Sequence, residues 1–214
     1  MSEQEIIKDM SQKLGWRYAT QDFDTEKKLS KETLDAILNA GIMAPSSFGL
    51  QPWKFVVVKD AETRAKIRAA AWDQKKITES SDLLVLASLK EATPEYIDSY
   101  VKDVSEKRGV PVDALKGYRD MMVGSATAKG STEEWNARQT YIATGFVLFA
   151  AMQLGVDAAP MEGFDPAKVD EILGLAGDGY TSRVIVSLGY RNPNDEALKR
   201  AKVRFDADKV VKTV

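Results

Sequence analysis

The chain has 214 residues, 44% of them apolar, and 30 basic against 32 acidic side chains, for a net charge of −2. That is enough for one domain with a real core, and it lacks the basic excess with which a nucleic-acid binder neutralises phosphates. Cysteine and histidine are both absent, which excludes disulfides, thiolate nucleophiles, Cys/His zinc sites, a Ser-His-Asp triad and a histidine general base.

The N-terminus has no apolar run after a basic start, so no secretory signal is read there. Glu3 to Leu14 places Ile6, Ile7, Met10 and Leu14 at helical offsets. A second helix follows Ser30 as N-cap, with Leu34, Ile37, Leu38 and Ile42 on one face. Ala44 to Pro52 holds two prolines, a glycine and two serines, the chemistry of a loop. Lys54–Lys59 reads as a strand and Ala61–Ala71 as a helix. The apolar run Leu83–Leu89 fits a strand buried on both faces.

Residues 93–134 are polar and helix-prone without a strong apolar period, and are expected to cover something instead of building the core. Gln139 to Val156 carries no charge, but Gln139, Thr140, Tyr141, Thr144 and Gln153 make it too polar for a membrane span. A helix over 139–154, apolar nearly all round, is expected to be buried on several sides, centrally or in a subunit interface. Val156–Pro160 reads as a short strand, and Pro166–Leu173 as a helix with proline in its first turn. Gly174–Gly179 is a glycine-rich turn that precedes a strand, so it is not a dinucleotide fingerprint. Ser182–Tyr190 is a further strand. Lys209–Val214 has strand composition and needs a sheet edge to pair with. Strands alternating with helices of varied length predict a mixed α+β domain spanning 1–214.

Three segments stand out chemically: Trp16–Asp24, Pro45–Trp53 and Lys202-Val203-Arg204. Lys202 and Arg204, two apart in extended chain, point to one side. With Arg17 they form a three-cation site suited to a dianionic phosphate, Arg giving bidentate bonds. Singly, each is an ordinary solvated charge; the combination is the signal. Asp98, Asp103, Glu106, Glu133 and Glu134 read as charged helix faces.

From about Arg17 to the C-terminus the chain resembles the FMN-dependent nitroreductase family. The motifs are Arg17-Tyr18-Ala19-Thr20 with Phe23-Asp24, Pro45-Ser46-Ser47 with Gln51-Pro52-Trp53, Ala71-Trp72-Asp73-Gln74, Trp135 with Arg138-Gln139, Pro160-Met161-Glu162-Gly163-Phe164-Asp165, Gly189-Tyr190, and Lys202-Val203-Arg204. The resemblance implies a central, mostly antiparallel sheet flanked by helices. It also implies a homodimer with FMN at the interface and a C-terminal strand exchanged with the partner; the cytoplasm is expected separately, from the lack of a signal or span. By similarity Arg17, Tyr18, Ala19, Lys202 and Arg204 serve the ribityl-phosphate, while Gln21, Asp73 and Lys76 serve the flavin ring. Pro160, Met161, Glu162 and Gly163 lie near its N5, and Pro45, Ser46, Ser47 and Gly49 come from the partner subunit. Tyr118 takes a lid position within the helical excursion 93–134.

The activity implied is hydride transfer from NADH or NADPH through FMN to nitroaromatics, quinones or flavins, with ping-pong kinetics and no obligatory acid, base or metal. The alternative is a non-catalytic flavin-binding protein of the same fold. Four positions depart from the family's usual residues: Ala19 for serine, Gln21 for a cation, Gly49 for asparagine and Asp73 for asparagine. Loss of a cation and gain of a carboxylate beside the ring imply a lowered flavin potential.

Overall fold

The computed structural model describes residues 2–214. In chain order the elements are α1 (Glu3–Trp16), α2 (Lys31–Ile42), β1 (Trp53–Val58), α3 (Ala61–Ala70), α4 (Lys76–Glu79), β2 (Asp82–Leu89), α5 (Pro94–Arg108), α6 (Lys116–Thr127), α7 (Glu133–Gln153), β3 (Asp157–Met161), α8 (Pro166–Leu173), β4 (Tyr180–Gly189) and α9 (Ala207–Val210). Short 3-10 turns occupy Ser47–Gly49, Val112–Leu115 and Glu196–Lys199. The expected Ser30 cap forms, the Thr33 amide donating to Ser30 Oγ at 3.1 Å, and Pro166 opens α8 as expected, with Asp165 as a cap not foreseen.

The four strands make one sheet in the order β1-β2-β4-β3, antiparallel throughout, as the α+β expectation required. Alternation along β2 explains its continuous apolar run. Leu84 and Leu86, with Val184, Val186 and Leu188 of β4, face α2 and α7 through Leu34, Ile37, Val147 and Ala151. Leu83 and Val85, with Ile185 and Met161, face α3 and α8 through Ile67 and Val169. Helices cover both faces, so no position of β2 meets water.

Three expectations change. Residues 93–134 build a core of their own: Ile97, Val101 and Met122 are buried with Leu50 and Trp135. The stripe Ile97-Val101-Val104 is a helical period hidden in sequence by the charges around it. Next, α7 begins at Glu133 and within this chain buries one face, so of the two expected settings it is not the central one. Thr140, Ala143, Thr144, Val147 and Ala151 are inward, whereas Tyr141, Ile142, Phe146 and Phe149 are exposed. Helix α1 touches α7 but buries no residue, and its Ile6, Ile7, Met10 and Leu14 stay exposed.

Finally, the strand expected at Lys209–Val214 is absent. The segment is one helical turn, α9, then unpaired extended chain, all of it exposed. Strand composition stabilises nothing without an edge to pair with, and this tail pairs with none of the four strands. Among the described residues, no helix is long and apolar enough to cross a membrane.

Candidate functional site

The site starts where α1 ends. Arg17 is the C-cap residue, and its extended backbone (φ −71°, ψ 140°) turns the chain off the helix. The next residues are stitched to the sheet. Ala19 bridges to Ala158 on β3 and Phe23 to Arg191, and the Asp24 amide donates to Tyr190 O at 2.8 Å. Side chains reinforce this seam. Arg191 pairs with buried Asp157, its Nε at 2.8 Å from Oδ1 and its backbone amide at 2.8 Å from Oδ2. The same guanidinium stacks on Trp16 and Tyr18, 4.1 and 4.7 Å from the ring centroids.

This seam forms one wall of a cleft of about 560 Å³. Arg17, Ala19 and Gln21 line one side; Arg200, Lys202 and Arg204 line the other. Lys202 Nζ donates to Leu14 O at 2.5 Å and to Arg17 O, which fixes an ammonium at the C-terminal end of α1. None of Arg17, Arg200, Lys202 or Arg204 forms an ion pair with a carboxylate among the described residues. Burial and then Arg204 pull the Arg17 pKa down; burial, Arg17 and Arg204 pull Lys202 down. Cations that depress one another, with no anion to relieve them, can hold an anion between them.

A hollow of about 380 Å³, lined by Gln21, Asp73, Gln74 and Lys76, shares Gln21 with the cleft. Lys76 Nζ donates to Gln21 Oε1 at 2.8 Å, and Gln21 Nε2 donates to Ala19 O at 2.7 Å. Burial lowers the Lys76 pKa, and Asp195 partly restores it. Asp73 accepts from Arg68 Nε at 2.7 Å. Trp72 and Asp73 both hold left-handed backbone (φ 52° and 56°), which swings this turn toward the end of β3.

There Gln74 Nε2 donates to Gly163 O at 2.7 Å, and the Trp72 ring lies against Gly163. A Cβ at residue 163 would sit 2.6 Å from that ring, so only glycine permits the approach. Pro160 and Met161 end β3 and deliver Glu162 and Gly163 to this place. Burial and the neighbouring Glu162 carboxylate push Tyr141 up to about 12.

The third group stands apart. In the Pro45–Trp53 loop, Ser46 Oγ accepts from the Gln51 amide at 2.9 Å, and the Ser47 amide donates to Gln139 Oε1 at 2.8 Å. Tyr100 and Tyr118 both donate to Phe48 O, at 2.9 and 2.5 Å, while Tyr96 reaches Leu50 O and Gln51 O. Gly49, at φ 73°, has the Tyr100 hydroxyl where its Cβ would be, 2.5 Å away. That accounts for glycine at this position. Tyr118 is therefore tied to this loop. No hydrogen bond joins the loop to the Arg17 cleft among the described residues.

The residues singled out in sequence thus fall into a connected set and a separate one. Arg17, Ala19, Gln21, Asp73, Lys76, Glu162, Gly163, Lys202 and Arg204 belong to the first; Pro45, Ser46, Ser47, Gly49 and Tyr118 to the second. Tyr18 lines the cleft, but its hydroxyl is spent on Asp195 at 2.8 Å. Sequence reading missed Arg191 and Asp195, and it placed Asp157 in a motif, Gly155-Val156-Asp157, without a role. Asn-Pro-Asn-Asp at 192–195 marks a turn, but nothing local marks donors that arrive from residues 18–22.

The sequence profile of the nitroreductase family matches residues 14–190. A candidate NAD(P)H nitroreductase of Staphylococcus epidermidis is 34% identical over 206 residues, covering 92% of each chain. YfkO of Bacillus subtilis, likewise a candidate NAD(P)H nitroreductase, is 34% identical over 213 residues, covering 94% of this chain and 95% of its own. Among solved structures, the B. subtilis nitroreductase-type protein ydfN superposes with a TM-score of 0.85 at 21% identity, covering 97% of this chain and all of the other. A nitroreductase-type protein of Exiguobacterium sibiricum, solved in complex with FMN, superposes at 0.75 with 21% identity, covering 100% and 98%. The profile match spans Arg17, the 45–53 loop and the Glu162–Gly163 turn and ends before Lys202 and Arg204, and the chain belongs to the nitroreductase family.

Proposed function

We propose that the protein is an FMN-dependent oxidoreductase that takes hydride from NADH or NADPH and passes it to nitroaromatics, quinones or flavins by ping-pong turnover. The observation that carries the reading is the cation cleft: Arg17, Lys202 and Arg204 converge without a carboxylate partner. That donor set fits the dianionic phosphate of FMN. The FMN complex of the E. sibiricum neighbour and the NAD(P)H in the relatives' names support cofactor and donor. When bound, FMN supplies the two-electron carrier; the chemistry itself is the cofactor's.

The chain's own residues bind and tune. Arg17, Lys202 and Arg204 hold the phosphate, and Tyr18 and Ala19 border it. Gln21 and Lys76 present one cation and one amide to the ring's electron-accepting edge, where positive charge favours the reduced form. Asp73, held by Arg68, offers a carboxylate that accepts but does not donate. Glu162 and Gly163 close the connected set from the end of β3.

The second group completes the site from a partner subunit. In this reading Pro45, Ser46, Ser47 and Gly49 serve the neighbour's FMN, which accounts for their separation from Arg17 within one chain. The exposed Ile142, Phe146 and Phe149 of α7 and the apolar side of α1 are the surface a homodimer covers. The tail at Lys209–Val214 finds its sheet edge on the partner. The chain forms one domain over 1–214, with 93–134 as lid and Tyr118 at its hinge with the 45–53 loop. The working compartment is the cytoplasm, where the nicotinamide donor is supplied.

The test is anaerobic rapid mixing of the yellow protein with NADH and with NADPH, followed by the visible absorbance of oxidised flavin. Bleaching reversed by a quinone or nitroaromatic is expected. A protein that keeps its flavin and does not bleach is the non-catalytic flavin binder instead.

A further inference from the structure

Asp195 has no assigned role, and it does not line the cleft. It is 1% exposed and serves both walls of the cleft at once. Its Oδ2 accepts from Tyr18 Oη at 2.8 Å, from the Gln21 amide at 2.9 Å and from the Asp22 amide at 3.2 Å. Its Oδ1 accepts from the Ala197 amide at 2.9 Å, starting the turn Glu196–Lys199 that leads into Arg200, Lys202 and Arg204. The donors on Oδ2 belong to the segment that carries Arg17, and the donor on Oδ1 to the segment that carries the other cations. Asp157 joins Thr20 to Arg191 farther up the chain, whereas Asp195 is the carboxylate that reaches the turn leading into Arg200, Lys202 and Arg204. Burial opposes its charge, but these donors hold its pKa below the usual carboxylate range.

We propose that Asp195 is the positioning residue of the anion site: a single buried carboxylate sets the spacing between Arg17 and the Lys202–Arg204 arm, and so sets phosphate affinity without touching the phosphate. The inference rests on the FMN reading. Geometry and charge make opposite forecasts for it. A carboxylate near a cation cleft repels an incoming anion, so removing its charge alone would tighten FMN binding. Loss of its spacing role loosens binding instead. Asp195→Asn keeps the volume but turns an NH2 either onto the Ala197 amide or onto the three donors at Oδ2. Tyr18→Phe leaves the charge and removes one donor from Oδ2.

The experiment titrates flavin-free protein with FMN and with riboflavin, which lacks the phosphate, by quenching of flavin fluorescence. The readout is the ratio of the two affinities. Asp195→Asn is expected to cut the preference for FMN by about tenfold or more, with riboflavin binding within about twofold of wild type. Tyr18→Phe is expected to move the ratio the same way by a smaller factor, and carries the test if Asp195→Asn does not fold. Equal losses for both flavins, an unchanged ratio, or tighter FMN binding in Asp195→Asn overturn the positioning role and leave the FMN reading intact. A wild-type protein that binds neither flavin overturns both.

Discussion

Removing Asp157 tests the seam that fixes Arg17. The carboxylate is 4% exposed, and its partner Arg191 retains 18%. It accepts from the Arg191 backbone amide and Nε, both at 2.8 Å, from Nη2 at 2.5 Å, and from Thr20 Oγ1 at 3.4 Å. Deleting one member of a buried ion pair costs about 3–5 kcal/mol, mostly because the other charge is stranded. Here the stranded guanidinium keeps some solvent and two aromatic faces, which places Asp157→Ala near the lower end, at about 3 kcal/mol. For a chain of this size that is a fall in Tm of about 6–12 °C. The assay is urea unfolding of flavin-free protein at one fixed concentration, because dimerisation and bound ligand both shift apparent stability. Arg191→Met alone strands the acid, whereas the double variant strands neither charge, so the double-mutant cycle should return a coupling of about 2 kcal/mol. A loss below about 1 kcal/mol, or additive single losses, would refute the claim that this pair secures the seam.

Three other outcomes follow from the geometry. Gly49→Ala, with φ 73° and a Cβ 2.5 Å from Tyr100 Oη, should cost about 2 kcal/mol, from left-handed strain and a displaced hydrogen bond. Thermal unfolding should show the same change costing less in a Tyr100→Phe background, and equal costs would remove the steric argument. Gln21→Lys should raise the flavin reduction potential by about 30 mV, about 1.4 kcal/mol for two electrons; a redox titration with no upward shift would sink the electrostatic account. For pH, the folded-state pKa of Asp195 lies below its ordinary value of 3.8. Its contribution is present above that pH and is lost as acidity increases through the folded value. Acid unfolding of Asp195→Asn should therefore show a shallower limb below about pH 4, and superimposable acid limbs would count against it.

The sheet was legible because its signal is local. Leu83–Leu89 and Ser182–Tyr190 are apolar runs of strand length, and signals such as the Ser30 cap and the first-turn Pro166 announce helices. The cation arm was legible in part: Lys202-Val203-Arg204 shows its spacing, but its meeting with Arg17 depends on Asp195 and on contacts across 185 residues of separation. The same limit hid Tyr100 above Gly49, since a close approach between α5 and a loop about fifty residues earlier leaves no periodic trace. The left-handed Trp72 and Asp73 were invisible because the turn is held by Arg68, Ala71 and Gly163 and not by its own propensity. The tail differs for the opposite reason: Val210, Val211 and Val214 have a strand's residues but no edge to pair with inside their own chain.

The strand order also sets a timetable for synthesis. β2 pairs early with β1, which precedes it closely, but its other neighbour is β4, beginning at Tyr180. From Leu89 to Tyr180 the ribosome must add 91 residues (180 − 89), roughly 5 to 20 s of elongation at about 5–20 residues per second. Throughout that interval the most apolar strand of the protein stands with one edge open, able to pair with any other extended chain. Only with β4 do Val184, Ile185, Val186 and Leu188 arrive, and with them the inner wall of both cores. A nascent chain halted between α7 and β4 is thus the species a chaperone would meet, and premature termination there should yield insoluble fragments.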